Sequence, residues 1–166
     1  MKLEMARKIA RTFMSQIQSG CSRVEIAGSV RREKPEVHDI EICAIPNPID
    51  LFWLKEIMDA QQYIKGKFPS KYSRIISQCE KIDIFWCSKD NWGNIYLIRT
   101  GPWEFSKWIM GTKTREVGLR QREGSLWRGN KKLSCPEEAD VFKLLGMDFI
   151  EPKDRVFKEI TKQGCL

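Results

Sequence analysis

Gly28-Ser29-Val30-Arg31-Arg32, then Asp39-Ile40-Glu41-Ile42, and further along Ile82-Asp83-Ile84: these three short stretches decide the fold. Side chains alternate along a strand, so Asp39 and Glu41 share one face and Ile40 and Ile42 the other. Asp83 stands likewise between Ile82 and Ile84. Where the two strands are neighbours, three carboxylates meet on one patch. Left bare, they repel and raise one another's pKa. A divalent cation relieves that repulsion, and two such ions about 3.5–4 Å apart form the clamp used for in-line phosphoryl transfer. The donors are all oxygens, which suits Mg2+ or Mn2+ better than zinc. An isolated D-x-E is more often the wet face of an ordinary strand. The Gly28-Ser29 turn shifts the balance, because glycine permits close backbone approach and the N–H groups and Ser hydroxyl can hold phosphate oxygens. Arg31 and Arg32 beside it can bind a triphosphate, although such a pair also serves as a surface turn with ordinary ion pairs.

Around these stretches the chain organises into two lobes. Residues 3–17 place Ala6, Ile9, Ala10, Phe13, Met14 and Ile17 on one helical face, with Gly20 fitted to the helix C-terminus. Strands are predicted at 23–27, 39–45 and 81–86, with shorter candidates at 64–68 and 74–78 that carry Lys65, Lys67 and Arg74. Asp50 can cap a helix to about residue 61 that buries Leu51, Leu54, Ile57 and Met58. After a boundary near 87–91, helices are expected at 90–99 and 102–117 on either side of Thr100-Gly101. A hairpin over 119–128 turns at Glu123-Gly124, and a helix over 136–145 has Pro in its first turn. The prediction is an α+β chain. A first lobe, 1–88, has a mixed sheet and two helices, and a small α+β lobe, 89–166, follows. No repeat or low-complexity tract interrupts it.

Composition narrows the function. The 166 residues carry 29 Lys and Arg against 22 Asp and Glu. The excess concentrates in residues 91–132, where nine Lys or Arg face three acids and alternate with Trp103, Phe105, Trp108 and Trp127. Basic residues between aromatics suit a polyanion with stackable bases; they also suit a solvated face over core aromatics. No apolar run approaches the ~18 residues of a membrane helix, and no apolar segment follows the N-terminus as in an export signal. The expectation is therefore no membrane partner, no secretion, and residence in the cytoplasm or wherever the DNA is. One histidine, His38, leaves little for a histidine metal site or a serine–histidine triad. Six cysteines without C-x-x-C spacing read as reduced thiols.

The residues G-S-V-R-R, D-I-E-I and I-D-I resemble those of the nucleotidyltransferase superfamily to which DNA polymerase beta belongs. The eleven-residue step from Gly28 to Asp39, the Thr100-Gly101 turn with Phe105 and Lys107 after it, and the closing Glu151-Pro152-Lys153-Asp154-Arg155 extend the similarity to the X-family DNA polymerases over nearly the whole chain. The resemblance implies a polymerase-beta-like palm lobe followed by a lobe for nucleotide and DNA. Asp39, Glu41 and Asp83 would hold two Mg2+ or Mn2+ ions. Gly28, Ser29 and Arg32 would contact the triphosphate. Thr100, Gly101, Trp103 and Ser106 would line the nucleotide, with Trp103 either stacked on the incoming base or buried as a core tryptophan. Lys107, Lys113, Arg115, Arg120, Arg122 and Arg128, with Lys131 and Lys132, would grip DNA without sequence preference, and binding would weaken as salt rises.

Departures accompany the likeness. Glu41 stands where the family has Asp. Ile98 and Arg99 replace aromatics before Thr-Gly, Ser106 replaces a base-contacting Asn, and Met110 replaces a template-contacting Arg. The chain starts at the first helix of the catalytic lobe, so no deoxyribose-phosphate lyase activity is expected. The expected activity is template-directed filling of short gaps in DNA repair: a monomer acts on primer–template or gapped DNA and a dNTP, and pyrophosphate is released. The alternatives are a template-independent nucleotidyltransferase acting on a nucleic-acid end or another acceptor, and a DNA-binding module without catalysis, which the three carboxylates disfavour.

Overall fold

The computed structural model describes residues 1–156. Their contacts divide the chain into two compact units, Met1–Ser88 and a second beginning at Lys89. The fold class is mixed α and β, as expected.

In the first unit, helix α1 (Leu3–Ile17) buries Ala6, Ile9, Ala10, Phe13 and Ile17, the face its 3.6-residue spacing marks. A 3-10 turn, Gln18–Gly20, leads into strand β1 (Cys21–Ile26). Gly20 does not adopt a left-handed conformation. It is small because a Cβ there would come 3.0 Å from Leu54 and the Trp53 ring. Residues 28–31, expected as a turn, form the short helix α2 (Gly28–Arg31). Strand β2 (Ile40–Pro46) follows. Helix α3 (Leu51–Asp59) buries Leu54 and Met58 only; Leu51 is exposed and Ile57 partly so. Asp50 makes no side-chain cap. Asn47 does the capping one turn earlier, accepting from the Ile49 N–H at 3.3 Å and donating to Asp50. Strands β3 (Gln62–Lys65), β4 (Tyr72–Ser77) and β5 (Glu80–Trp86) complete a five-stranded sheet ordered β1-β2-β5-β4-β3. Only β2 and β5 run parallel. Ile40, Ile42, Ala44, Ile75, Ile82, Ile84 and Trp86 join the core residues of α1 and α3 in one apolar cluster. Alternation puts Glu41, Cys43, Asp83 and Phe85 on the opposite face of β2 and β5.

The second unit starts with α4 (Trp92–Thr100). The helix expected over 102–117 is a continuous helical run of three pieces: α5 (Trp103–Trp108), a π-helical turn (Ile109–Lys113) and α6 (Thr114–Glu116). Strands β6 (Arg120–Arg122), β7 (Ser125–Arg128) and β8 (Lys131–Leu133) make an antiparallel sheet; β8 extends the expected hairpin by a third strand. Helix α7 (Glu138–Leu144) begins after Pro136, with a capping box between Glu137 and Asp140. Leu97, Phe105, Ile109, Leu119, Leu126, Val141, Phe142 and Leu145 form its core. No described helix is long and apolar enough to cross a membrane. Among the described residues Cys21, Cys43, Cys79, Cys87 and Cys135 are not joined in disulfides. Cys165 and the tail after Val156 lie outside the described residues.

Candidate active site

The parallel β2–β5 register pairs Ile40 with Ile82, Glu41 with Asp83 and Ile42 with Ile84. With the isoleucines in the core, Glu41 and Asp83 stand side by side on the other face. Asp39 precedes β2 by one residue, and its side chain is 43% exposed. Strand alternation thus puts Glu41 and Asp83 on one face, while Asp39 lies in a bend just before β2.

Gly28 closes this face on one side. The Ala27 N–H donates to the Glu41 carbonyl at 2.8 Å, which draws the β1–α2 junction alongside β2. Gly28 has φ +61°, and a Cβ placed there would lie 1.8 Å from Glu41 Oε2. Glycine is required twice, by its backbone angle and by the carboxylate against its Cα. Next to it, Ser29 Oγ is buried with no hydrogen-bond partner among the described residues. A buried hydroxyl without a partner is costly. Arg31 and Arg32 are half-buried in the same segment.

The strand pairing adds a residue that sequence reasoning passed over. Arg74 in β4 pairs with Asp83 in the antiparallel β4–β5 register. Its Nε donates to Asp83 Oδ1 at 2.5 Å and its Nη2 to Oδ2 at 2.6 Å, a two-pronged fork on a carboxylate only 5% exposed. The Tyr72 hydroxyl donates to the same Oδ1 at 2.8 Å. Arg74 Nη2 also reaches 4.0 Å from Asp39 Oδ2. The hydrogen-bonded Asp83 carboxylate holds the guanidinium still more firmly protonated than usual. Burial, then the bond to Asp83, pushes the Tyr72 phenol up. Among the described residues no three acidic, histidine or cysteine side chains are gathered into a ready-made metal-binding group. One guanidinium, that of Arg74, supplies positive charge to both Asp83 and Asp39. The only sequence trace of it is a basic residue in a short strand, and the pairing of that strand is not legible from the residues.

The remaining expected residues lie in the second unit. Thr100 is buried and Gly101 takes φ +71° at the end of α4. Trp103 is 69% exposed, which removes the reading of a core tryptophan, and Lys107 Nζ sits 4.8 Å from its ring centroid. Ser106 is turned inward, its hydroxyl donating to the Ile98 carbonyl at 2.7 Å. Met110 is exposed. Lys113 pairs with Glu116 at 3.4 Å, and Arg115 Nε donates to the Gly111 carbonyl at 2.5 Å. Arg120, Arg122, Arg128, Lys131 and Lys132 are exposed on the β6–β8 sheet. Arg155, which ends the Glu151-Pro152-Lys153-Asp154-Arg155 stretch, is buried. Its Nη2 lies 2.8 Å from Glu138 Oε1, and Nε donates to the Ile150 carbonyl at 3.1 Å. Phe105, Phe142 and Phe149 surround its guanidinium at 5.6, 5.5 and 6.0 Å.

Comparison with known proteins bears on the second unit first. Residues 96–156 match the family model for the DNA polymerase beta thumb. A stretch of 77 residues, 46% of this chain, is 30% identical to DNA polymerase IV of Saccharomyces cerevisiae. That stretch amounts to 13% of the yeast protein's length. Residues 96–156 are thus similar to the DNA polymerase beta thumb, and part of the chain is similar to an X-family DNA polymerase.

Proposed function

We propose that the chain is a metal-dependent DNA polymerase that adds deoxynucleotides from dNTPs to a primer 3′-hydroxyl under template direction, fills short gaps, and releases pyrophosphate. The observation that carries this reading is the Glu41–Asp83 register pair, with Gly28 against the Glu41 carboxylate and Asp39 within 4.0 Å of the Arg74 guanidinium that also holds Asp83. Three oxygen donors fit a hard divalent cation in kind. For Asp83 to serve, the Arg74 fork must leave it. Two Mg2+ or Mn2+ ions on Asp39, Glu41 and Asp83 would supply charge neutralisation at the triphosphate and a lowered pKa at the primer hydroxyl. The chain's own groups do the positioning. The Ser29 hydroxyl and Arg32 take triphosphate oxygens, and Gly28 leaves room for the Glu41 carboxylate beside them. The basic residues of the thumb hold the DNA backbone.

Two features favour template-independent transfer as a second reading. The Ser106 hydroxyl is committed to the Ile98 carbonyl, and Met110 offers no hydrogen bond. Extension of a labelled primer with Mg2+, each dNTP offered singly, with and without a gapped template, separates the two. Template-matched incorporation is expected. Asp83→Asn should reduce it by more than about a hundredfold. Gly28→Ala, which forces the Glu41 carboxylate aside, should do the same while destabilising the fold by only about 1–2 kcal/mol. Wild-type rates from Asp83→Asn would end the proposal.

A further inference from the structure

The β6–β8 sheet has one face in the core and one outside, and its register assigns each residue. Gln121, Leu126 and Leu133 form one cross-strand row. Leu126 is fully buried and Leu133 packs on the same cluster, so this row faces inward. The adjacent row is Arg120, Trp127 and Lys132, which alternation turns outward. Arg122, next along the same face, lies over the Trp127 ring at 5.3 Å, and the indole N–H donates to the Arg122 carbonyl at 3.2 Å. The result is an indole–guanidinium pair flanked on the neighbouring strands by Arg120 and Lys132, with Glu123 as the only acid of the sheet and its turns.

The platform is held firmly. Asn94 of α4 is fully buried, and its amide exchanges two 2.9 Å hydrogen bonds with the Gln121 amide. It also donates to the Gly124 carbonyl at 2.9 Å. The hairpin that presents Trp127 and Arg122 is therefore pinned from below at both its strand and its turn.

We infer that this outer sheet face, Trp127 with Arg122 between Arg120 and Lys132, binds an unpaired stretch of nucleic acid, one base stacking on the indole–guanidinium pair and its phosphates meeting the flanking cations. The charge selects a polyanion. The aromatic plane selects a strand whose bases are free to stack, since duplex bases already stack on each other. The inference deepens the proposed function and rests on it for its source: on a DNA polymerase, the strand that fits is single-stranded template beyond the paired region.

Fluorescence anisotropy on the full chain tests it, with labelled dT12 and a blunt duplex of the same length at one fixed salt concentration. Trp127→Ala should weaken dT12 binding roughly tenfold, the loss of one stacked base. Trp127→Phe should stay within about threefold of the parent, and duplex affinity should change less than about twofold in both. Thermal melting of each variant checks the fold; where Trp127→Ala melts early, Arg122→Ala, which keeps the indole, replaces it and should weaken dT12 by several-fold. Unchanged dT12 binding overturns the inference, as does an equal loss on dT12 and duplex, which would reduce the face to a non-specific phosphate patch. Should dT12 binding depend on Trp127 while no primer is extended, the platform stands and the polymerase reading fails. Should primers be extended while dT12 ignores Trp127, only the platform fails.

Discussion

Arg74→Ala tests the charge arrangement of the site directly. In the parent protein both Asp83 oxygens accept from the guanidinium, at 2.5 and 2.6 Å, and the carboxylate is 5% exposed. Breaking a buried ion pair by deleting one partner destabilises by about 3–5 kcal/mol. Arg74 is itself 33% exposed, so water reaches the truncated site, and the expectation falls to about 2–3 kcal/mol. For a unit of this size that amounts to a drop of roughly 10–20 °C in the melting temperature of the first unit. Calorimetry on Arg74→Ala, Asp83→Asn and the double variant measures it, and the coupling between the two positions should be about 2 kcal/mol. Under the proposed function, Mn2+ should raise the melting temperature of Arg74→Ala more than that of the parent, because in the parent the cation must displace the fork. A variant that melts within about 2 °C of the parent would refute the electrostatic argument. So would finding that Arg74→Ala costs the same whether or not Asp83→Asn is already present.

In the second unit, Glu138→Ala should leave the fully buried Arg155 guanidinium without its acid, destabilising by about 3–5 kcal/mol in chemical denaturation; a loss below about 1 kcal/mol would mean that the three phenylalanine faces suffice. Burial pushes the Cys21 thiol from 9.0 up to about 12. Folding therefore favours its protonated form: that contribution is complete below pH 9 and is lost as pH rises toward 12. The melting temperature should fall over this window less steeply in Cys21→Ala than in the parent, and parallel curves would discount the cysteine.

Much of the site was legible because it depends on local rules. Period-two alternation put Glu41 and Asp83 each between core isoleucines, and the isoleucines could go only inward. Period-3.6 spacing identified α1 and its buried face. Less local features escaped. Leu51 fits a helical stripe yet stays exposed, because the face that α3 buries is chosen by what lies beneath it. Gly20 fits a helix end, yet its smallness answers the Trp53 ring. Three-residue β8 had too little pattern to register.

What the sequence by itself determined is the inventory of charge and its local order: three acids at strand spacing, a Gly-Ser turn before them, and basic residues among aromatics in the second half. What only the tertiary structure decided is which distant groups meet. Arg74 reaches Asp83 because β4 runs antiparallel to β5. Trp127 stands between Arg120 and Lys132 because two hairpin registers align them. Arg155 turns into the core to meet Glu138. Strand pairing and burial of charge are settled by the packing of the whole unit, since a carboxylate removed from water is tolerated only where the fold brings a cation to it.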